Sequence, residues 1–148
     1  MFFKEIADLW KKKDLLSQVY NELKIMFKED EAMFNETTSA LFEGKKIKLD
    51  IYSEDRRVNK YEMDIRKKIL EHLSFNQFQD VSDSLILMGA SKDVERIGDY
   101  AKNILELVYM HKKPLQGTKY VPKLIELKAK IAMMFKLTQK AFNDADKK

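Results

Sequence analysis

At 148 residues, with 45% apolar and 11% aromatic side chains, the chain is long enough for one domain with a sizeable core, and its composition is globular and not that of a disordered polymer. Charged residues make up 35%, yet the 28 basic and 24 acidic ones are interspersed and leave only +4, the balance of a solvated helical surface and not of a nucleic-acid groove. The absence of cysteine excludes disulfides, thiolate metal sites and thiol catalysis, leaves oxygen and His as the available metal ligands, and fits a cytoplasmic protein.

Lys4, Glu5 and Asp8 deny the N-terminus the uninterrupted apolar core of a secretory signal. No run approaches the ~18 apolar residues of a membrane span, so membrane contact is expected only through a partner. Along the first part of the chain, Phe2, Ile6, Leu9, Leu16, Tyr20, Leu23, Phe27, Phe34 and Leu41 recur at spacings built from three and four. Lys13, Asp30 and Thr37 read as interruptions of that seam. With no Gly or Pro before Gly44, the pattern predicts one helix from about residue 3 to about residue 42.

Gly44 ends that helix, and Asp50 or Ser53 can cap the next by accepting a bond from a free backbone N–H. The second helix is expected to reach about His72. Its inner stripe holds Ile51, Val58, Ile65 and Ile69, with Asp55 and Glu62 on the same line and Asn59 at its margin. Acids on a core stripe need partners, and Arg66 or Arg96 is the expected one.

Leu73 to Gln79 read as a polar connection, with Asn76 or Asp80 starting a third helix that continues to about His111. Its expected apolar stripe is Ile86, Ala90, Val94, Ile97, Ala101, Ile104 and Val108. Glu95, Asp99 and Asn103, four apart, then project to roughly the opposite, accessible side. Gly89 and Gly98 fall inside this helix, each costing roughly 1 kcal/mol relative to Ala. Either another helix approaches closely at these points, or Gly98 leaves room for a ligand beside Glu95 and Asp99.

Pro114 and Gly117 break the chain, and Pro122 suits the first turn of a fourth helix, where its missing N–H costs nothing. Leu124, Leu127, Ile131, Met134, Leu137 and Ala141 form the expected packing face, with Met133, Met134 and Phe135 counted in the core. Trp10, Phe2 and Phe3 are read as core or as a contact surface beside Lys11, Lys12 and Lys13. The expected fold is an all-α antiparallel bundle of long helices forming a single domain over 1–148.

Glu95 and Asp99 repel each other on a bare helix, and a cation bridging both would relieve them. The bland alternative is a solvated face neutralised by Lys92, Arg96 and Lys102. Asp55, Asn59 and Glu62 form a second ridge of oxygen donors, and Asp93 and Asn103 are further candidates. His72 and His111 sit at helix ends, where a positive charge is favourable. Neither has the Glu-x-x-His spacing of di-iron bundles, and no HExxH, Walker loop, Rossmann glycine set or nucleophile elbow occurs. No catalytic residue is expected.

The run Lys92-Asp93-Val94-Glu95-Arg96-Ile97-Gly98-Asp99-Tyr100-Ala101-Lys102-Asn103-Ile104 resembles the signature of PhoU domains, the phosphate-uptake regulators. Asp55-Arg56-Arg57-Val58-Asn59-Lys60-Tyr61-Glu62-Met63-Asp64-Ile65 resembles the preceding helix of that family, and Asp80 matches its Asp-Leu-Arg element, with Val81 and Ser82 in place of Leu and Arg. The resemblance covers about residues 5–112, one three-helix unit where full members carry two in tandem, with a fourth C-terminal helix over about 121–145. It implies a non-enzymatic cytoplasmic protein, at most peripheral at the inner membrane through a partner.

The implied partners are a phosphate transporter component or its sensor kinase, and a second copy of the chain, since a homodimer could supply the missing packing surface. Glu/Asp-x-x-x-Asp motifs of the family hold iron, zinc, magnesium or manganese. Glu95 and Asp99 carry over intact, whereas Asp55 and Asn59 carry an amide in place of the second acid. Two other classes stay open on the residues alone: a metal-dependent carboxylate-bundle enzyme and a structural coiled-coil partner.

Overall fold

In the computed structural model the backbone is described for residues 2–75 and 80–145, and side chains for 15–75 and 80–144. Four helices follow one another: α1 over Phe2–Glu43, α2 over Ile51–Phe75, α3 over Val81–Met110 and α4 over Val121–Ala145, with no strand among the described residues. The all-α reading holds. At 1.5 Å per residue α1 is about 63 Å long, and it is the common neighbour: α2, α3 and α4 all pack on it, and α2 packs on α3.

Helix ends follow local chemistry. Gly44 takes φ +67°, a left-handed conformation open to glycine, and its N–H bonds the Ala40 carbonyl at 3.1 Å. Asp50 accepts the Ser53 N–H at 3.1 Å and so caps α2, while Ser53 lies inside that helix. Asp80 precedes α3 at φ 60° and accepts the Ser84 N–H through its carbonyl at 2.8 Å. Pro122 lies in the first turn of α4. Asn76, the other proposed start of α3, lies outside the described residues.

The inner faces alternate spacings of four and three throughout α2 and, after a step of seven from Ser84 to Ser91, along α3. On α2 they are Ile51, Asp55, Val58, Glu62, Ile65, Ile69 and His72; on α3 they are Ser84, Ser91, Val94, Gly98, Ala101 and Leu105. Val19, Leu23, Met26, Phe27, Met33 and Phe34 of α1 close the core between them. The spacing is that of a coiled-coil seam, and each fully buried aliphatic side chain contributes roughly 1.5–3 kcal/mol.

Three expectations are corrected. Asp30 and Thr37 are fully buried at the centre of the α1 face; they occupy the same seven-residue line as Leu23, and Thr37 satisfies its hydroxyl on the Met33 carbonyl at 2.8 Å. On α3 the buried stripe is rotated from the expected one: Ile86 is exposed, Ser84, Ser91 and Gly98 are inside, and at Gly98 α1 comes close. On α4 the expected face is largely in solvent. Leu124, Leu127, Met134, Leu137 and Met133 are exposed, and the helix docks on α1 through Phe135 and the partly buried Ile131 and Ala132. Phe135 stacks on Phe27 and Phe34 at centroid distances of 5.0 and 5.6 Å. The side chains of Phe2, Phe3, Trp10 and Lys11 to Lys13 lie outside the described residues.

Candidate functional site

The acids gather where α1, α2 and α3 meet. Gly98 supplies the close approach: a Cβ built on it would lie 2.7 Å from Asp30 Oδ1 and 3.6 Å from Val58 Cγ1. Gly89, in contrast, faces open space, so no neighbouring helix accounts for it. Asp30 is 0% exposed, and neither carboxylate oxygen has a hydrogen-bond partner. Burial, followed by the negative charges of Glu29, Asp55, Glu95 and Asp99, pushes its pKa up to about 8. Asp30 is therefore mostly protonated at neutral pH.

Glu95 and Lys102 flank the buried stripe of α3 and do not lie opposite it; both are half-buried. Lys102 extends its ammonium between two helices, donating to Asp55 Oδ2 of α2 at 2.9 Å and to Asp99 Oδ1 of its own helix at 2.7 Å. Burial opposes the charge on Lys102, but the two carboxylates outweigh it and hold the lysine pKa above its usual value. Glu95 accepts from Lys92 at 2.6 Å, and Glu62 pairs with Arg66 one turn on.

Thus Asp55 finds Lys102, and not either arginine considered from sequence, while Glu62 does find Arg66. Asn59 is half-buried at the margin of the α2 stripe, and Asp93 and Asn103 are exposed on α3. The structure brings Asp55 and Asp99 to one ammonium and leaves Asp93 and Asn103 on the outer surface. His72 is buried at the end of α2 with Nε2 3.6 Å from Asp80 Oδ2 at the start of α3, whereas His111 is an exposed C-cap residue.

Two residues of this cluster escaped the sequence reading. Asp30 was visible only as a break in the α1 seam, although its place seven residues after Leu23 and seven before Thr37 marks it as inward-facing. Lys102 read as surface neutralisation, and no local signal links it to Asp55, 47 positions away.

The donor set fits a hard cation in part. Asp55, Glu95 and Asp99 lie close enough for their charges to raise the proton affinity of Asp30, whose own oxygens are unbonded. Against this, Lys102 already neutralises two of them. No group of three or more His, Asp or Glu stands ready as a metal cage among the described residues.

A long-helix bundle with a polar layer of acids and hydroxyls in its core defines an all-α helical-bundle protein. The PhoU domain profile matches residues 23–108, more than half of the chain, and the chain belongs to the PhoU domain family. No curated protein and no solved structure matches it. At the level of the family this is a regulator of phosphate uptake, and the family is regulatory and non-enzymatic. No helix among the described residues is long and apolar enough to cross a membrane.

Proposed function

We propose that the chain is a cytoplasmic regulator of phosphate uptake that works by binding a phosphate transporter component or its sensor kinase. The observation that carries this reading is the family match over 23–108, which takes in the C-terminal half of α1, all of α2 and nearly all of α3. Affinity capture from phosphate-rich and phosphate-starved cells tests it. Recovery of a transporter subunit or sensor kinase in either condition supports the assignment, and failure in both would sink it while leaving the fold intact.

The cluster at Gly98 is proposed to respond to divalent cations. Asp55, Asp99 and Glu95 would hold the ion, with Asn59 and Glu62 on the α2 side, and carboxylate and amide oxygens favour Mg²⁺ or Mn²⁺ over softer metals. An ion there supplies positive charge between α2 and α3, the service that Lys102 performs in this structure. Lys102→Gln should then tighten Mn²⁺ binding about tenfold by calorimetry, because a competing ammonium is removed. Equal affinities for both proteins would discard the competition, and no binding to either would discard the cation site.

A second copy is the proposed cover for α4. The exposed Tyr120, Leu124, Leu127 and Met134 follow one another at spacings of four, three and seven, a seam that an antiparallel copy meets with itself under two-fold symmetry. Sedimentation of the wild type and of Leu127→Lys reads this directly: a dimer lost in the variant is the expected result.

A further inference from the structure

At the opposite end of the molecule from the α2–α3 connection, a cleft of about 460 Å³ opens between the α1–α2 and α3–α4 connections. Lys45, Lys46, Lys112, Lys113 and His111 line it, over a floor that includes Leu41, Ile47 and Val108, and no Asp or Glu is in its wall. Two sequence-distant loops supply the cations. Their juxtaposition is fixed by backbone: the Leu115 N–H donates to the Leu41 carbonyl at 2.8 Å, and a Cβ added at Gly44 would lie 2.7 Å from Pro114 Cγ.

Glu43, next in sequence to the lining residue Gly44, is already committed. Glu43 accepts from Lys128 of α4 at 2.8 Å and pairs with Lys45 at 2.6 Å. The Lys128 bond and then Lys45 hold its pKa down to about 2. No ion pair among the described residues involves Lys46, Lys112 or Lys113. Three like charges in one preformed cleft repel one another, and a counter-ion relieves them.

We propose that this cleft binds a compact anion bearing several phosphate groups. Charge density selects the class. An extended acidic peptide carries at most one carboxylate per ~3.3–3.6 Å of chain, whereas each phosphate monoester places about 1.5–2 negative charges on three clustered oxygens. Only the second matches three to four ammonium groups gathered around a few hundred cubic ångströms. Lysines suit such a ligand because they act as point charges and demand no planar bidentate geometry. The site lies apart from the acid cluster and does not depend on the function assigned above.

Inorganic tripolyphosphate is the probe, titrated calorimetrically into the full chain at 0.15 M salt, with orthophosphate, citrate and a short oligoglutamate as comparators. Tripolyphosphate should bind more tightly than all three. The combined variant Lys46→Gln, Lys112→Gln, Lys113→Gln should weaken it by about tenfold or more, since unscreened charges at close range set the affinity. These side chains are on the surface, so the variant should keep the wild-type melting temperature, which is checked alongside.

The control carries the same charge change elsewhere, at Lys123, Lys136 and Lys140 of α4, and should stay within about twofold of wild type. An equal loss in the control means general attraction to a basic protein and overturns the site. Tighter binding of oligoglutamate than of tripolyphosphate overturns the ligand class, and no tripolyphosphate binding overturns both.

Discussion

The three-helix unit buries acids and hydroxyls, whereas α4 leaves leucines and methionines in water. Asp30, Thr37, Ser84 and Ser91 are fully buried between α1, α2 and α3, yet Met134 of α4 is 63% exposed. Hydropathy alone would rank these regions the other way round. The difference lies in the number of neighbours: each helix of the unit is flanked by two others, so whatever faces inward is enclosed, while α4 touches only α1. Enclosure is a property of the arrangement; of the polar residues inside it, Thr37, Thr38 and Ser91 bond back to their own helix, whereas the Asp30 oxygens and Ser84 Oγ have no hydrogen-bond partner.

The contrast can be broken at four points. Gly98→Leu drives a side chain into Asp30 and Val58 and should cost roughly 4 kcal/mol in denaturant unfolding; a loss below ~1 kcal/mol would mean that α1 and α3 separate easily there. Phe135→Ala removes the ring seated on Phe27 and Phe34 and should cost about 3 kcal/mol, capped by the free energy that docks α4. Hydrogen exchange in that variant should rise along α4 and stay low in Val58 to Ile69. Uniform exchange would instead make α4 an integral part of the core.

Asp30→Asn tests the buried acid through pH. The folded-state pKa of Asp30 is raised above its unfolded value, so the native chain holds a proton that the unfolded chain has released. Stability is then full below about pH 4 and falls as pH rises toward 8. The charges bearing on Asp30 are Glu29, Asp55, Glu95 and Asp99, with Arg57 drawn to Glu29 and Lys102 to Asp55 and Asp99. Between pH 5 and pH 8 the wild type should lose roughly 3.5 kcal/mol more than the variant. Parallel curves would show that water or Lys102 already neutralises Asp30. The smallest effect is expected for Leu137→Ala, which should move monomer stability by less than about 0.5 kcal/mol because its side chain is already in solvent.

Helix ends were legible because their causes are local: a glycine at positive φ, an Asp side chain reaching three residues on, a proline in a first turn. The heptad line of α2, acids included, was legible for the same reason. The rotation of α3 was not. Ile86, Ala90, Ile97 and Ile104 outweigh Ser84, Ser91 and Gly98 in hydropathy, but small residues win the inside wherever two helix axes come close. Nor was α4, whose apolar residues cover so much of its circumference that their pattern does not select the side that meets α1. In the candidate site Glu95, Asp99 and Asp55 were visible as carboxylates at helical spacing, while Asp30 and Lys102 became members only through contacts between helices.

Periodicity and capping thus settle which segments are helical, where they stop and which residues share a line along each axis, since these depend on neighbours within a few positions. Which line is enclosed, and by what, depends on the azimuth at which another helix arrives. That choice set Asp30 beneath Gly98 and carried Lys102 across to Asp55, turning a ridge of acids that looked solvent-facing into a half-buried cluster with a cation of its own.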